Sequence, residues 1–524
     1  MDTHLRKQGS NSLMAAAGWG RIFSHHGGRP PAASLPYPSP FADHLHAPRG
    51  RGRLAGAPHT GAAGGAACGD VVRIGLRVDR GQVAEAGFDA AGCGAALAAG
   101  SAVVELVEGA PLLAAARLSA ADVAEALGGL VVPKRHAAEL AADALHRAIA
   151  AAVRDPATRL PPVAGRTLVA MSGGVDSGVA ALLARDAGED VVAVTLELWA
   201  DPTGDGEASC CSPQALIGAR ALAHAIGLPH VSLDQRERFR AAVVDDFVSE
   251  QRAGRTPNPC VRCNGLVRFD AMLELAERLG ARRLVTGHYA RIDRDGDGPL
   301  LRAAADADKD QTYMLARLDP DELDRLGFPL GALTKAEVRA LARAAELPVA
   351  DKAESQDLCF LAGVGRERFM ARHAEADASG RGEILDLGGR VLGSHDGHER
   401  FTVGQRRGIG LAAPEPLYVI AKDARANRVV VGPRAALATR RVRLCRAELK
   451  RPGARVDRVK LRYRSCATPC QIEGDPAAGR HEGLMIALER PVHGVAPGQT
   501  ACLLEGERVV GWATIGQGEV PAAA

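Results

Sequence analysis

Apolar and polar residues alternate over residues 71–78, where Ile74, Leu76 and Val78 would line one face of a strand. Farther along, alanine and leucine recur at i, i+3 and i+4 spacing over residues 119–127 and 136–153, which predicts amphipathic helices. These patterns predict a small α+β domain over residues 37–154. Residues 155–165 contain three prolines and are predicted to be a linker.

The first 36 residues follow neither period and are rich in Gly, Pro, Ser, His and Arg. We predict that residues 1–36 are a disordered extension. A start codon assigned too early, with Met14 as the true start, and a basic targeting peptide are the alternatives.

Short apolar runs then alternate with helical segments. Residues 167–171, 191–198, 229–233 and 283–286 are predicted strands, and residues 214–226, 236–249 and 266–279 are predicted helices. This alternation predicts an α/β domain with a doubly wound parallel sheet over residues 166–370. Helices become scarce after residue 371, so we predict a small β-rich central domain over 371–436 and a C-terminal β-barrel over 437–524.

The lack of a long apolar stretch, the net charge and the cysteine count limit the classes of function that this chain could have. The 524 residues contain no uncharged apolar stretch of 18 residues, which argues against a membrane-spanning helix. The net charge of +3 is too small for a general nucleic-acid binder, so any RNA site must be a local basic patch. Eleven cysteines without a recognisable signal peptide indicate metal, persulfide or catalytic thiol chemistry in a reducing, cytoplasmic location.

A glycine-rich hexapeptide, Ser172-Gly-Gly-Val-Asp-Ser177, follows the first strand of the parallel sheet and precedes a helix. Backbone N–H groups of such a loop, together with the helix dipole, suit an anion. The loop lacks the Gly-Lys-Ser/Thr ending of a Walker loop, so γ-phosphate transfer is not implied. A tight glycine turn capped by Ser177 is the structural alternative.

The hexapeptide resembles the PP-loop of ATP pyrophosphatases, which adenylate a substrate oxygen. The resemblance implies that ATP and Mg²⁺ are cofactors, with Asp176 near the pyrophosphate. It implies nucleotide contacts at Ala170, Met171, Ser172, Gly173, Gly174, Val175, Asp176, Ser177, Leu196 and Gly287.

Three cysteines are candidates for thiol chemistry. Cys260 and Cys263 lie three residues apart directly before a predicted helix, and Cys359 follows about a hundred residues later. A thiol at a helix start beside Arg262 is expected to have a lowered pKa. A small buried hydrophobic residue is the ordinary alternative for a single cysteine.

Several motifs occur in order after the hexapeptide, and together they resemble the tRNA 2-thiouridylase family over about residues 164–517. They are Gly254-Arg-Thr-Pro-Asn-Pro259, Cys263-Asn264, Thr286-Gly-His-Tyr289, Lys309-Asp-Gln311, Cys359-Phe360, Phe401-Thr-Val-Gly-Gln-Arg-Arg-Gly408 and Ala496-Pro-Gly-Gln499. The resemblance implies that ATP activates the C2 oxygen of the wobble uridine of tRNA. It also implies that Cys359 carries a persulfide, that Cys263 is the partner nucleophile, and that a cysteine desulfurase or sulfur-relay protein supplies sulfur.

Cys260 departs from that family, in which this position is often acidic. Cys260, Cys263 and Cys359 could ligate three irons of a [4Fe-4S] cluster whose fourth iron carries sulfide. The persulfide–disulfide route and a structural zinc are the alternatives.

Residues 440–464 contain eleven Lys or Arg residues against two acids, Glu448 and Asp457. We predict that this basic run forms an RNA surface, a solvated charged face being the alternative. The family resemblance implies tRNA contacts at His288, Lys309, Asp310, Gln311, Arg462, Tyr463 and Gln499.

The N-terminal unit contains Asp43-His44, Pro48-Arg49, Ala67-Cys-Gly-Asp70, Gly92-Cys93-Gly94 and Pro133-Lys-Arg-His136. The spacing of these motifs resembles that of the IscU/NifU Fe–S scaffold family. Cys68, Asp70, Cys93 and His136 would form its ligand set, for zinc or an Fe–S cluster. Ala137 stands where that family has a third cysteine, so a degenerate docking module is the alternative. The competing functions for the whole chain are another PP-loop ligase, such as an amidating synthetase, and a non-catalytic Fe–S carrier that binds RNA. We expect no membrane association, and a monomer.

Overall fold

The structure is a computed structural model that describes residues 39–53, 56–65, 69–200, 213–353, 358–373 and 380–517. The predicted extension over residues 1–36 and the candidate ligand Cys68 lie outside the described residues. No helix in the described ranges is long and apolar enough to cross a membrane.

The N-terminal domain has an antiparallel sheet in the order β1-β2-β3, covered by helices. Its strands are β1 (His59–Gly64), β2 (Val71–Asp79) and β3 (Gln82–Ala91), and its helices are α1 (Ser39–His46), α2 (Gly94–Val107), α3 (Leu112–Ala115), α4 (Ala120–Ala126) and α5 (Arg135–Arg154), with a 3₁₀ turn at Val132–Lys134. Helix α5 packs so closely on β1 that a Cβ at Gly61 would lie 2.3 Å from the Ala144 carbonyl oxygen. The predicted α+β architecture is confirmed.

The second domain is a parallel sheet in the order β10-β7-β4-β5-β6. The strands of this part of the chain are β4 (Arg166–Ala170), β5 (Asp190–Glu197), β6 (His230–Asp234), β7 (Arg283–Thr286), β8 (Arg291–Asp295), β9 (Gly298–Arg302) and β10 (Leu326–Gly327). Its helices are α6 (Val175–Asp186), α7 (Pro213–Ala225), α8 (Arg236–Phe239), α9 (Asp245–Arg252), α10 (Pro259–Cys263), α11 (Phe269–Arg278), α12 (Pro320–Leu323), α13 (Lys335–Ala344) and α14 (Arg366–His373).

Two π-helical turns, Arg240–Val244 and Asn264–Arg268, join α8 to α9 and α10 to α11, and 3₁₀ turns occupy Thr312–Leu315 and Pro329–Ala332. The chain is therefore helical from Pro259 to Arg278 without a break. The doubly wound sheet predicted from strand–helix alternation is confirmed. The β8–β9 hairpin has no counterpart in the sequence expectations.

Residues 155–165, which join these two domains, are hydrogen-bonded to the second domain. Leu160 N donates to Arg278 O at 2.8 Å, and Val163 N donates to Gly280 O at 3.1 Å. Arg278 also donates from Nη1 to Val153 O. The proline-rich segment 155–165 thus lies against the second domain, held by backbone hydrogen bonds at Leu160 and Val163.

The central domain is a four-stranded sheet in the order β12-β11-β14-β13, around a small core that includes Ile384, Phe401 and Val429. Its strands are β11 (Gly382–Leu385), β12 (Val391–His395), β13 (Tyr418–Asp423) and β14 (Arg428–Gly432), with 3₁₀ turns at His398–Arg400 and Arg434–Leu437.

The C-terminal sheet closes into a barrel because β15 pairs with both β18 and β20. Its strands are β15 (Ala438–Leu449), β16 (Arg458–Lys460), β17 (Thr468–Ile472), β18 (Gly479–His493), β19 (Thr500–Glu505) and β20 (Arg508–Ile515), with a 3₁₀ turn at Gly453–Arg455. The β8–β9 hairpin extends this sheet through the pairing of Arg508 with Arg302. The predicted barrel is confirmed, and the second domain contributes to it.

Candidate active site

The glycine-rich loop leaves the carboxyl end of β4 and enters α6. Gly173 has a φ of +69°, which favours glycine, and Gly174 is the N-cap of α6. The Ser177 hydroxyl donates to Gly174 O at 3.0 Å and accepts from Ser172 N at 3.2 Å. Ser177 therefore fixes the loop from inside, while the N-terminus of α6 stays directed at the sheet edge, where anions bind.

Asp176 connects the loop to residues far away in sequence. Lys335 Nζ donates to both of its carboxylate oxygens, at 2.7 and 2.8 Å, and Tyr289 Oη donates to Oδ1 at 2.9 Å. Lys352 Nζ donates to Gly173 O at 2.9 Å. The loop is thus flanked by two ammonium groups, which would neutralise a polyphosphate.

A cavity of about 220 Å³ opens beside the loop. Its lining brings together seven of the predicted nucleotide residues, Ala170, Met171, Ser172, Asp176, Ser177, Leu196 and Gly287. Gly287 must be glycine, because a Cβ there would lie 2.7 Å from the Asp176 carbonyl carbon. Gly173, Gly174 and Val175 shape the loop and do not line the cavity.

His288 and Gln311, both predicted tRNA contacts, also line this cavity. Burial, with a contribution from the charge of Arg268, lowers the pKa of His288 to about 3, so its imidazole is neutral at pH 7. Gln311 exchanges two hydrogen bonds with the backbone of Tyr289, each 2.9 Å long. Gln311 therefore positions Tyr289, and through it Asp176.

The two cysteines of the 259–263 segment occupy different positions on its helix. Asn258 caps the helix by accepting from Val261 N at 3.2 Å, so Cys260 lies in the first turn. Cys263 ends α10 and is only 6% exposed. Because the helix runs on to Arg278, Cys263 shares it with Arg268 and Met272, which line the cavity beside the glycine-rich loop, the candidate nucleotide cavity.

The effect of Arg262 on the pKa of a neighbouring thiol stays a prediction. The Arg262 guanidinium lies 3.3 Å from Asp246 and donates to Ala242 O. Arg262 thus balances the charge of Asp246.

Cys359 is positioned by its neighbour Phe360. The Phe360 ring is 2% exposed and packs against Phe239, Phe247 and Phe369, with ring centroids 5.1 to 6.0 Å apart. Cys359 packs against the same hydrophobic core that contains Cys263. Neither thiol is in a disulfide.

Cys260, Cys263 and Cys359 do not form a mononuclear metal site. A tetrahedral zinc with bonds of about 2.3 Å needs its sulfur atoms about 3.8 Å apart. Among the described residues, a single group of three ligand atoms lies within 4.8 Å, and it is Asp70, Cys93 and His136. The structural-zinc alternative for the three cysteines is therefore not supported.

The N-terminal cluster brings together three of its four predicted ligands. Cys93 Sγ and His136 Nε2 both lie 3.1 Å from Asp70 Oδ2, and Cys93 N donates to Oδ1 at 2.9 Å. Burial opposes ionisation of Asp70, but the hydrogen bonds from Cys93 and His136 lower its pKa to about 2. Ala137, in place of a third cysteine, is fully buried in α5. Carboxylate, thiol and imidazole together suit zinc or iron.

The remaining predicted tRNA contacts all have partners inside the protein. Asp310 accepts from Thr312 and Lys460, and Gln499 Nε2 donates to Thr256 O at 2.7 Å. The exposed Arg462 donates to Gly494 O, and the Tyr463 ring lies 6.1 Å from that of Tyr313. RNA contact by these residues, and by Lys309, stays a prediction.

Part of the basic run over 440–464 is bound within the protein, and RNA binding by the run stays a prediction. Five of its side chains have acidic or carbonyl partners in the protein: Arg441 to Glu473, Lys450 to the carbonyls of Ala316 and Leu318, Arg451 to Asp295, Arg455 to Glu505, and Lys460 to Asp310. The Arg441 pair lies on the surface, with the arginine side chain 66% exposed. Arg451 is only 3% exposed. The other six, Arg440, Arg443, Arg446, Arg458, Arg462 and Arg464, are exposed and remain candidates. The number of basic residues in a stretch of sequence does not show which of them pair within the protein and which lie on a surface that could contact RNA.

Lys335, Tyr289 and Lys352 were not among the predicted site residues. Tyr289 lies in a quoted motif, but a tyrosine there carries no chemical signal by itself. Lys335 is the first residue of α13, after the Thr334 capping box. The capping box predicts the start of a helix, but it does not predict the contact of Lys335 with Asp176, which lies 159 residues earlier.

Comparisons with known proteins match each domain. Family models match residues 37–156 (NifU-like N terminal domain), 165–363 (tRNA methyl transferase HUP domain), 367–433 (tRNA methyl transferase PRC-barrel domain) and 434–515 (Aminomethyltransferase beta-barrel domain). The "Bifunctional protein NifU/MnmA" of Rubrobacter xylanophilus is 45% identical over 487 residues, which cover 90% of this chain and 96% of the relative.

The "tRNA-specific 2-thiouridylase MnmA" of Zymomonas mobilis is 42% identical over 357 residues, 67% of this chain and 93% of the relative. That of a Bradyrhizobium strain is 44% identical over 346 residues, 64% of this chain and 86% of the relative. The chain thus belongs to the tRNA-specific 2-thiouridylase MnmA family, in the bifunctional form that carries a NifU-like N-terminal domain.

Proposed function

We propose that this chain uses ATP to replace the C2 oxygen of the wobble uridine of tRNA with sulfur. The observation that carries the proposal is a single helical segment, 259–278, that bears Cys263 at one end and lines the nucleotide cavity with Arg268 and Met272. This segment connects an adenylation site to a thiol. The names of the relatives, at 42 to 45% identity, point to the same reaction.

ATP is the co-substrate of the first step. The uridine C2 oxygen attacks the α-phosphorus, and pyrophosphate leaves. Lys335 and Lys352 lie where they would neutralise the pyrophosphate, because they already contact Asp176 and Gly173 of the loop. Mg²⁺ would be held by Asp176 and would supply further charge neutralisation to the phosphates.

Sulfur transfer completes the exchange. The terminal sulfur of a Cys359 persulfide attacks C2, and AMP leaves with the original oxygen. The Cys263 thiolate then attacks Cys359 Sγ, which releases the thiocarbonyl and leaves a Cys263–Cys359 disulfide. An external dithiol returns that disulfide to two thiols, so the electrons balance. Cluster-bound sulfide, with Cys260 as a third iron ligand, is the alternative source of sulfur.

The N-terminal cluster would hold zinc or iron through Asp70, Cys93 and His136, because three ligand atoms already lie within 4.8 Å. A metal there would stabilise the Cys93 thiolate, which is the form that takes part in sulfur exchange. We assign to this domain the acceptance of sulfur from a cysteine desulfurase or sulfur-relay protein.

The experiment is nucleoside mass spectrometry of tRNA from a strain that lacks the gene, with and without the gene restored. We expect 2-thiouridine derivatives to disappear in the deletion and to return with the intact gene. A restored gene that encodes Asp176→Ala should not return them. Unchanged 2-thiouridine in the deletion strain contradicts the proposal.

A further inference from the structure

The N-terminal domain is fixed to β6, the edge strand of the parallel sheet. The Ala116 carbonyl oxygen, directly after α3, accepts from His230 N at 3.0 Å and from His224 Nε2 at 3.2 Å. Arg220 of α7 donates to Asp143 of α5 at 2.8 Å, and these side chains are only 13% and 18% exposed. The backbone N–H of His230, which an uncovered sheet edge would present to water, therefore has a partner from the other domain.

The His230 side chain continues this contact towards the nucleotide loop. Its Nε2 lies 2.9 Å from Thr195 Oγ1, and Thr195 Oγ1 lies 2.9 Å from Met171 O. A carbonyl oxygen can only accept, so the single hydroxyl proton of Thr195 goes to Met171. His230 Nε2 must then carry a proton and donate it to Thr195. Burial lowers the pKa of His230 well below its ordinary value, so the imidazole is neutral with that proton on Nε2.

The end of this chain of hydrogen bonds is a functional position. Met171 is the last residue before Ser172, and both line the nucleotide cavity together with Thr195. Met171 N is also fixed, because it donates to Val194 O at 2.8 Å. Both backbone groups of Met171 are therefore held by β5, and the hydroxyl that holds its carbonyl is oriented by His230.

We infer that the docked N-terminal domain positions the nucleotide loop through the relay Ala116–His230–Thr195–Met171, and that nucleotide binding in turn strengthens the docking. Thr195 and His230 are positioning residues. The inference rests on the proposed binding of ATP at the loop, and it gives the fused domain a second task besides handling sulfur. Coupling of this kind is reciprocal, so it can be measured from either end.

The first experiment measures both ends in the full chain, using ATP as the probe. We expect ATP to slow amide hydrogen exchange over residues 115–118 of the N-terminal domain. Thr195→Val should remove that protection and raise the ATP dissociation constant about five- to tenfold, as expected for one buried hydrogen bond lost. Thr195→Ser keeps the hydroxyl and should restore both.

The outcomes separate the relay from the proposed function. If the wild-type chain does not bind ATP, the proposed function fails. If it binds ATP without protecting residues 115–118, or if Thr195→Val binds ATP and keeps the protection, the relay is wrong and the proposed function is untouched.

The second experiment is a double-mutant cycle across the domain interface. Arg220→Met removes the pair with Asp143 and should weaken ATP binding severalfold. Arg147→Met is the matched control, because Arg147 contacts the same Asp143 from within α5 at 2.8 Å and does not cross the interface. In the Thr195→Val background, Arg220→Met should add little. If the losses of ATP affinity caused by Arg220→Met and Thr195→Val simply add in the double variant, the two sites are not coupled and the inference is wrong.

Discussion

Lys335 Nζ lies 2.7 Å from Asp176 Oδ1, although 159 residues separate the two in sequence. The pair joins the first turn of α13 to the first turn of α6, at the edge of the sheet where the nucleotide cavity opens. The positive charge of Lys335 therefore lies at the loop, where pyrophosphate would leave.

Removal of that charge should therefore impair adenylation. We expect Lys335→Met to lower the rate of tRNA adenylation by about a hundredfold or more, in line with the loss of one electrostatic contact to a developing anion. The measurement is AMP formation dependent on tRNA. Arg343→Met is the control, because Arg343 lies on the same helix and pairs with exposed Asp351. Equal rates for Lys335→Met and wild type would show that the pair is only structural.

The source of sulfur can be decided at Cys260. In the persulfide–disulfide route only Cys263 and Cys359 exchange sulfur, so Cys260→Ala should keep most single-turnover thiolation. In the cluster route the same change removes one of three ligands and should abolish activity together with charge-transfer absorption. Both are measured on anaerobic protein that carries Cys68→Ser and Cys93→Ser, so that the N-terminal cluster contributes no iron signal. An active, colourless Cys260→Ala protein eliminates the cluster.

Acid should weaken the domain interface through its buried histidines. Burial, with the charges of Arg220 and His224, lowers the pKa of His146 to about 3. Between about pH 6.5 and that value the unfolded chain binds a proton that the folded chain does not, so stability falls as pH falls. One such histidine contributes a slope of about 1.4 kcal/mol per pH unit.

The measurement is the thermal midpoint of the full chain from pH 7.5 to pH 5. His146→Gln keeps a donor for Leu118 O, the partner of His146 Nε2, and removes the titrating group. We expect this variant to have a flatter pH profile than wild type. A profile as steep as that of wild type would mean that His146 ionises freely in the fold.

Affinity for tRNA should depend on the exposed members of the basic run and not on the paired ones. Arg462→Ala and Arg464→Ala should each weaken tRNA binding and reduce the slope of log K against log salt by about one. Arg441→Ala is the control, because Arg441 is bound bidentately to Glu473. If the Arg462→Ala and Arg464→Ala variants keep the salt slope of wild type, the RNA surface lies elsewhere.

The helices, the strands and the glycine-rich hexapeptide could be predicted from the sequence because each depends on residues that are close together in the chain. The hexapeptide needs glycines at fixed offsets, and Gly287 follows a strand whose carboxyl end meets the same sheet edge. Lys335 escaped prediction because a lysine at a helix start is ordinary, and only the packing of α13 on α6 brings it to Asp176. The partners within the basic run could not be predicted for a similar reason. Arg451, for example, is bound to Asp295 of the β8–β9 hairpin, and sequence patterns did not reveal that hairpin.

The stoichiometry of one reaction decides whether this chain is an adenylating tRNA thiolase. The reaction contains purified full-length protein, tRNA, ATP, Mg²⁺, a cysteine desulfurase with cysteine as the source of persulfide sulfur, and a dithiol to reduce the disulfide. Mass spectrometry of the digested tRNA, together with quantified AMP, should give one 2-thiouridine at the wobble position for each AMP released. Sulfur in tRNA without AMP, or AMP without a thiolated wobble uridine, would contradict the assignment of this chain as an adenylating tRNA thiolase.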